Sequence, residues 1–108
     1  MIKPPIIANN FGDVLFFRSK RDAEVYIESI DVRNNEYVIY DSEGRLLQVT
    51  VNSNNTVVIQ TAEEEPTHAS QLRELLQKHL LALGVPSEWV AKALLPEIIV
   101  KRLEFQTD

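Results

Sequence analysis

Apolar and polar residues alternate along this chain with two different periods, and the change from one period to the other divides the sequence into elements. Residues 14–17 form a short apolar run that predicts a buried strand. Ser19 can cap a helix, and the apolar positions after it recur with helical spacing. Those positions are Ala23, Tyr26, Ile27 and Ile30. Residues 1–12 have no defined period and lead into a turn cluster at 9–13.

Three further strands are predicted at residues 36–41, 46–51 and 56–61, which are rich in Val, Ile, Tyr and Thr. Three-residue turns, with Gly44 and Asn55 in the left-handed region, join them into antiparallel hairpins. In this register one face of the sheet is apolar, and a slip of one residue would scatter it. That face comprises Tyr37, Ile39, Leu47, Val49, Val51, Val57 and Ile59.

The last third of the chain is predicted to be helical. A stripe of leucines over residues 67–83 marks the longest helix, and Gly84 ends it. Ser87 begins a short helix that runs to Leu94. Residues 96–105 fit either a third helix or a final strand, with helix favoured because their apolar positions do not alternate cleanly.

The predicted order is β-α-β-β-β-α-α, which favours an α+β fold: a small antiparallel sheet with helices on one face. The length of 108 residues suits a single domain spanning 1–108. Within it, the strands and the first helix occupy 13–61 and a C-terminal helical part occupies 67–105.

Composition narrows the choice of protein class. The chain has no cysteine, which excludes disulfides, zinc–thiolate sites and cysteine nucleophiles. Its start lacks the apolar run of a secretory signal, and no stretch approaches the roughly 20 apolar residues of a membrane span. We therefore expect a cytoplasmic protein.

The net charge of −5 is unevenly distributed. Residues 36–65 hold six acids against Arg45 alone, while the two flanking regions are balanced. The acids are Glu36, Asp41, Glu43, Glu63, Glu64 and Glu65. An acidic surface repels phosphate backbones and attracts basic proteins. The alternative is that these acids simply lie on a solvent-exposed loop and turn and bind no partner.

No motif in the sequence indicates catalysis. His68 and His79 have no metal-ligand partner at helical spacing, and a histidine within a leucine stripe is usually a core residue. Asp41 and Glu43 are better explained as turn residues, with Asp41 facing Arg45. Neither a phosphate-binding glycine loop nor a basic and aromatic stripe is present. We expect no enzyme activity, no cofactor, no metal and no nucleic-acid partner.

The second face of the predicted sheet is too apolar to be fully solvated. Val38, Tyr40 and Leu46 lie on it, and Glu36 and Glu43 flank them. These five residues match an interface with an apolar centre and a charged rim, so they are the candidate partner-binding residues. The alternative is that a helix or the N-terminal segment covers the apolar ones.

Residues 13–47, DVLFFRSKRDAEVYIESIDVRNNEYVIYDSEGRLL, combine several short patterns. The first is a strand that leads to Ser19, and the second is a helix that opens with Asp-Ala-Glu at 22–24. The third is Glu-Ser-Ile-Asp-Val at 28–32, and the fourth is a hairpin with Asp-Ser-Glu-Gly-Arg-Leu at 41–46. This segment resembles small bacterial immunity proteins of polymorphic toxin systems. The resemblance implies a small, non-catalytic protein that binds and blocks a toxin.

The sequence therefore favours an immunity-type protein that binds another protein, such as a basic toxin domain. A regulatory or adaptor module with a different protein partner is the first alternative. A small-ligand or minor enzymatic domain, with its site between sheet and helices, is the second.

We predict that the fold needs neither metal nor disulfide, because the sequence lacks a recognisable ligand set for the first and any cysteine for the second. Thermal unfolding midpoints measured with and without chelator and reductant should coincide. A clear fall in the midpoint with chelator would reveal a metal site.

Overall fold

A computed structural model describes residues 1–99 of the chain. Those residues form five strands and five helices, which confirms the small α+β fold. The elements are β1 (Ile6–Asn10), β2 (Asp13–Phe17), α1 (Lys20–Tyr26), α2 (Ser29–Arg33), β3 (Tyr37–Tyr40), β4 (Leu46–Val51), β5 (Val57–Thr61), α3 (Ala69–Ala82), α4 (Ser87–Lys92) and α5 (Leu95–Ile99).

The sheet is antiparallel throughout, with strand order β2-β1-β3-β4-β5. Strand β1 was not predicted, although it lies at an inner position of the sheet. It escapes a periodicity search because Ile6, Ile7 and Ala8 are consecutive apolar residues, all fully buried. The predicted turn cluster joins β1 to β2 through Phe11 and Gly12, both with positive φ.

Both faces of the sheet carry a hydrophobic core. Ile6 and Phe17 belong to one core together with Ala23 of α1, whereas Ile7 and Phe16 belong to the other together with the C-terminal helices. Since adjacent residues of a strand point to opposite faces, α1–α2 and α3–α5 must cover opposite faces. The expectation of helices on one face is therefore wrong. Strands β1 and β2 are apolar on both faces, so helices cover both faces of the sheet.

The first helix begins as predicted but ends early. Ser19 Oγ accepts the backbone N–H of Asp22 at 3.1 Å, which is the expected N-cap. Ile27 then adopts an extended conformation, and α2 starts two residues later. As a result Ile27 stays buried against the sheet, while Ile30, predicted on the same helix face, is 59% exposed.

The two hairpins follow the predicted register. Ile39 lies opposite Leu47, and Val51 lies opposite Val57. Gly44 has a φ of +87° and Asn55 a φ of +62°, so both turns have the left-handed residue that the loop lengths require.

The C-terminal helices form one layer. Helix α3 buries Leu72, Leu76 and Leu80 against the sheet, which confirms the leucine stripe. Residues 95–99 form helix α5, in agreement with the helix that the sequence favoured for this region. The remainder of the predicted 96–105 element, beyond residue 99, lies outside the described residues.

Gly44 and Gly84 provide a matched pair of substitutions, because both have a φ of +87°. A Cβ on Gly44 would lie 2.3 Å from Ala69 Cα, whereas a Cβ on Gly84 meets no described atom within 4 Å. Gly84→Ala should cost about 1–2 kcal/mol for the left-handed backbone alone. Gly44→Ala should cost clearly more, because the start of α3 must also move. Equal losses in urea unfolding would contradict this close packing.

Candidate functional site

Asp41, at the end of β3, is a fully buried carboxylate with four hydrogen-bond donors. Its Oδ1 accepts the backbone N–H groups of Glu43 at 3.0 Å and Arg45 at 2.9 Å. Its Oδ2 accepts the N–H of Lys3 at 3.1 Å and the guanidinium of Arg45 at 2.5 Å. A buried charge is tolerated only when it is paired and hydrogen-bonded in this way. The carboxylate thus holds the β3–β4 turn and the N-terminal segment together.

Arg45 extends the same network toward the linker between β5 and α3. Besides Asp41, its guanidinium donates to the carbonyl of Met1 at 3.0 Å and to the carbonyl of Glu64 at 2.7 Å. A further contact of 3.3 Å reaches Glu43 Oε1. Hydrogen bonding to Asp41 raises the pKa of Arg45 above its ordinary value. The predicted pairing of these two residues is confirmed, and their opposite charges offset each other inside the protein.

Glu63 fastens the linker to the start of α3. Its carboxylate accepts hydrogen bonds from the backbone N–H of Leu46 at 2.8 Å and from both the backbone N–H and the hydroxyl of Thr67. It also lies 3.0 Å from His68 Nδ1. The pKa of Glu63 falls from 4.5 to about 2, mainly because its carboxylate accepts a hydrogen bond from the Thr67 hydroxyl. Partial burial of the carboxylate acts in the opposite direction and raises the pKa. The backbone N–H of His68 also donates to the carbonyl of Gly44 at 3.0 Å. The Glu63 carboxylate and the backbone of His68 therefore connect the linker to β4 and to the β3–β4 turn.

These contacts leave a cleft of about 540 Å³ between the β3–β4 turn, the linker and α5. Four of its six lining residues are apolar or proline. The lining consists of Ser42, Glu43, Pro66, Leu95, Pro96 and Ile99. We call this the turn–linker cleft.

One glutamate lines the turn–linker cleft, and three others lie next to its lining residues in the chain. The side chain of Glu43 lines it and is 49% exposed. Glu64 and Glu65 immediately precede Pro66 in the chain, and Glu97 immediately follows Pro96; all three are exposed. The cleft thus combines an apolar lining with an acidic rim.

The structure separates the five predicted partner-binding residues. Tyr40 is only 8% exposed and Leu46 is half-buried, and both pack against the core formed by α3–α5. Burial raises the pKa of the Tyr40 hydroxyl. Their placement in an exposed patch is therefore corrected, because the helical layer covers them. Glu36 is half-buried and Val38 is 45% exposed, whereas Glu43 alone of the five reaches the turn–linker cleft.

Sequence reasoning missed the apolar residues of the cleft. Pro66, Leu95 and Ile99 come from a linker and a short helix that are 29 or more residues apart in the chain, so no local period connects them. The available signal was the run of three glutamates directly before Pro66, which marks an acidic linker but not its neighbour α5.

No protein-family model, curated protein or solved structure matches this chain. Within residues 1–99, no helix is both long enough and apolar enough to cross a bilayer. The same described residues contain no group of three or more His, Cys, Asp or Glu side chains positioned to hold a metal ion.

Glu63→Gln should reduce stability in a pH-dependent manner. The pKa of Glu63 is lower in the folded protein, about 2, than its ordinary value of 4.5. Ionised Glu63 therefore stabilises the fold above pH 4.5, and this contribution is lost as the pH falls toward 2. The parent should melt at a higher temperature than Glu63→Gln at pH 7, and the gap should close near pH 2.

Glu64→Gln is the matched control, because its side chain is exposed and its backbone carbonyl still accepts from Arg45. It should change the midpoint little at either pH. A gap for Glu63→Gln that stays constant between pH 7 and pH 2 would contradict the assigned role of the carboxylate.

Proposed function

We propose that this chain is a non-catalytic binding protein of the immunity type, which neutralises a toxin protein by engaging a basic surface of the toxin. The turn–linker cleft is the proposed contact site. The observation that carries the proposal is the combination of an apolar lining with two exposed glutamates next to it in the chain, Glu64 and Glu65, whose side chains make no hydrogen bond with another residue of 1–99.

The cleft is suited to an apolar side chain of the partner that is flanked by Lys or Arg. Burial of an apolar anchor supplies affinity in a desolvated pocket, whereas charges at the rim mainly increase the rate of association. A volume of about 540 Å³ is within the usual range for binding pockets, roughly 300–1,000 Å³. Both parts of such an interaction are available within one small surface.

The internal polar contacts also favour a binding role over a catalytic one. The side chains of Asp41, Arg45 and Glu63 already have hydrogen-bond partners within the protein. Their hydrogen bonds connect the β3–β4 turn and the start of β4 to the linker beside the cleft. The resemblance of residues 13–47 to immunity proteins supports a toxin as the partner.

Two other functions would use the same cleft. A regulatory or adaptor module would bind a basic protein that is not a toxin. A small-ligand-binding domain would bind an apolar, cationic molecule of a size that about 540 Å³ can hold. Both alternatives predict cleft-dependent binding without relief of toxicity.

The test is to search the neighbouring genes for an encoded toxin domain, to co-express that domain with the full chain, and to measure growth and binding kinetics. The parent should relieve growth arrest. Glu64→Lys combined with Glu65→Lys should slow association by about tenfold or more and flatten its salt dependence, because both charges lie at the proposed rim. Ser42→Trp, which fills the cleft from its lining, should weaken binding mainly through faster dissociation.

Glu74→Lys combined with Glu88→Lys is the charge-matched control, because both residues are exposed and neither lines the cleft. This control should bind like the parent once bulk charge is screened with salt. Folded cleft variants that neutralise the toxin as well as the parent does would reject this site. A folded parent that gives no relief would reject the immunity function.

A further inference from the structure

Among residues 1–99, strand β5 forms one edge of the sheet, and its hydrogen bonds with β4 show which backbone groups face outward. The ladder is bonded at both ends: Asn52 donates to the carbonyl of Thr56 at 3.0 Å, and Ala62 donates to the carbonyl of Leu46 at 3.1 Å. Bonded and unbonded pairs alternate in an antiparallel ladder, so every second residue of β5 turns its N–H and C=O away from β4. Those residues are Val57, Ile59 and Thr61.

The sequence of this edge lacks the usual features that prevent strands from pairing. Residues 56–61 read TVVIQT, with no charged residue and no proline, and five of the six are β-branched. Edge strands of natural proteins commonly carry a charge, a proline or a bulge because an uncovered edge recruits another strand. A group outside the strand would be needed to keep β5 from pairing.

Glu24 of α1 supplies that protection. Its Oε2 accepts the outward backbone N–H of Ile59 at 2.7 Å, and Lys20 Nζ lies 3.7 Å from the same oxygen. The Glu24 side chain is 21% exposed. Ile59 is the middle residue of β5, so the carboxylate occupies the position that a carbonyl of an added strand would take at the centre of the edge.

We propose that the outer edge of β5 is a self-association surface for a second copy of this chain, and that Glu24 keeps the surface closed. Two copies would pair antiparallel about a two-fold axis near Ile59, joining two five-stranded sheets into one continuous sheet. Each Ile59 would then face its counterpart, and Val57 would face Thr61 of the second copy.

The edge is self-complementary in this arrangement. The facing pairs are Ile with Ile, Val with Thr, and Val58 with Gln60, so no like charges meet. Cross-strand pairs between β-branched residues stabilise a sheet. The displaced Glu24 carboxylate is the main unfavourable contribution, because a hydrogen bond to a charged acceptor is stronger than the neutral one that replaces it.

Glu24→Ala should therefore dimerise, as measured by sedimentation equilibrium of the full chain over a range of concentrations. We expect its dimer dissociation constant to be at least about a hundredfold lower than that of the parent, because two charge-assisted hydrogen bonds, one in each copy, no longer have to be displaced and each corresponds to a factor of about ten. Glu24→Gln keeps an acceptor oxygen and should fall between the two. Glu28→Ala, an exposed residue of the same type whose side chain makes no cap hydrogen bond, should behave like the parent.

A second variant separates edge pairing from aggregation of a damaged fold. Thr61→Pro removes an outward donor without removing a bond to β4, which is where an edge strand tolerates proline. Adding it to Glu24→Ala should restore the monomer while the circular dichroism spectrum stays native. A monomeric Glu24→Ala over the tested range would overturn the proposal, as would a dimer that persists unchanged with Thr61→Pro.

Discussion

The burial of the Asp41 carboxylate constrains the rest of this structure more than any other single interaction. An ionised group that loses its water must regain equivalent partners, and the cost of leaving it unsatisfied is several kcal/mol. Asp41 obtains its partners from the N-terminal segment at Lys3 and from the β3–β4 turn at Arg45. Arg45 in turn reaches the linker at Glu64. Three segments that are distant in the chain are therefore required to meet at one point.

The position of this network explains how the second helical layer lies on the sheet. Gly44 sits within the turn that Asp41 organises, and its left-handed conformation without a side chain lets Ala69 approach closely. His68 donates to the carbonyl of Gly44, so α3 starts directly against the turn. From there α3 covers Tyr40 and leaves Val38 exposed on the same face. The turn–linker cleft lies beside this starting point.

Four of the six acids of residues 36–65 divide into two groups with different roles. The carboxylates of Asp41 and Glu63 accept hydrogen bonds from within the protein, so they contribute little to the negative charge on its surface. Glu64 and Glu65 remain exposed next to the cleft and are the ones that a basic partner would meet. Glu24, outside this region, has a third role because its carboxylate closes the β5 edge. Charge counted along the chain therefore overstates the charge presented to a partner.

The sequence by itself determined the local features of this protein. These features are the helix cap at Ser19, the hairpin register that pairs Ile39 with Leu47, and the leucine stripe of α3. All three depend on short-range geometry, which residue type and spacing express directly. Only the tertiary structure decided that β1 enters the sheet, because a strand covered on both faces shows no alternation. Tertiary structure likewise decided that Tyr40 is core and that Pro66 and Leu95 line the same cleft, since the positions of distant segments depend on how whole layers pack and leave no period in the chain.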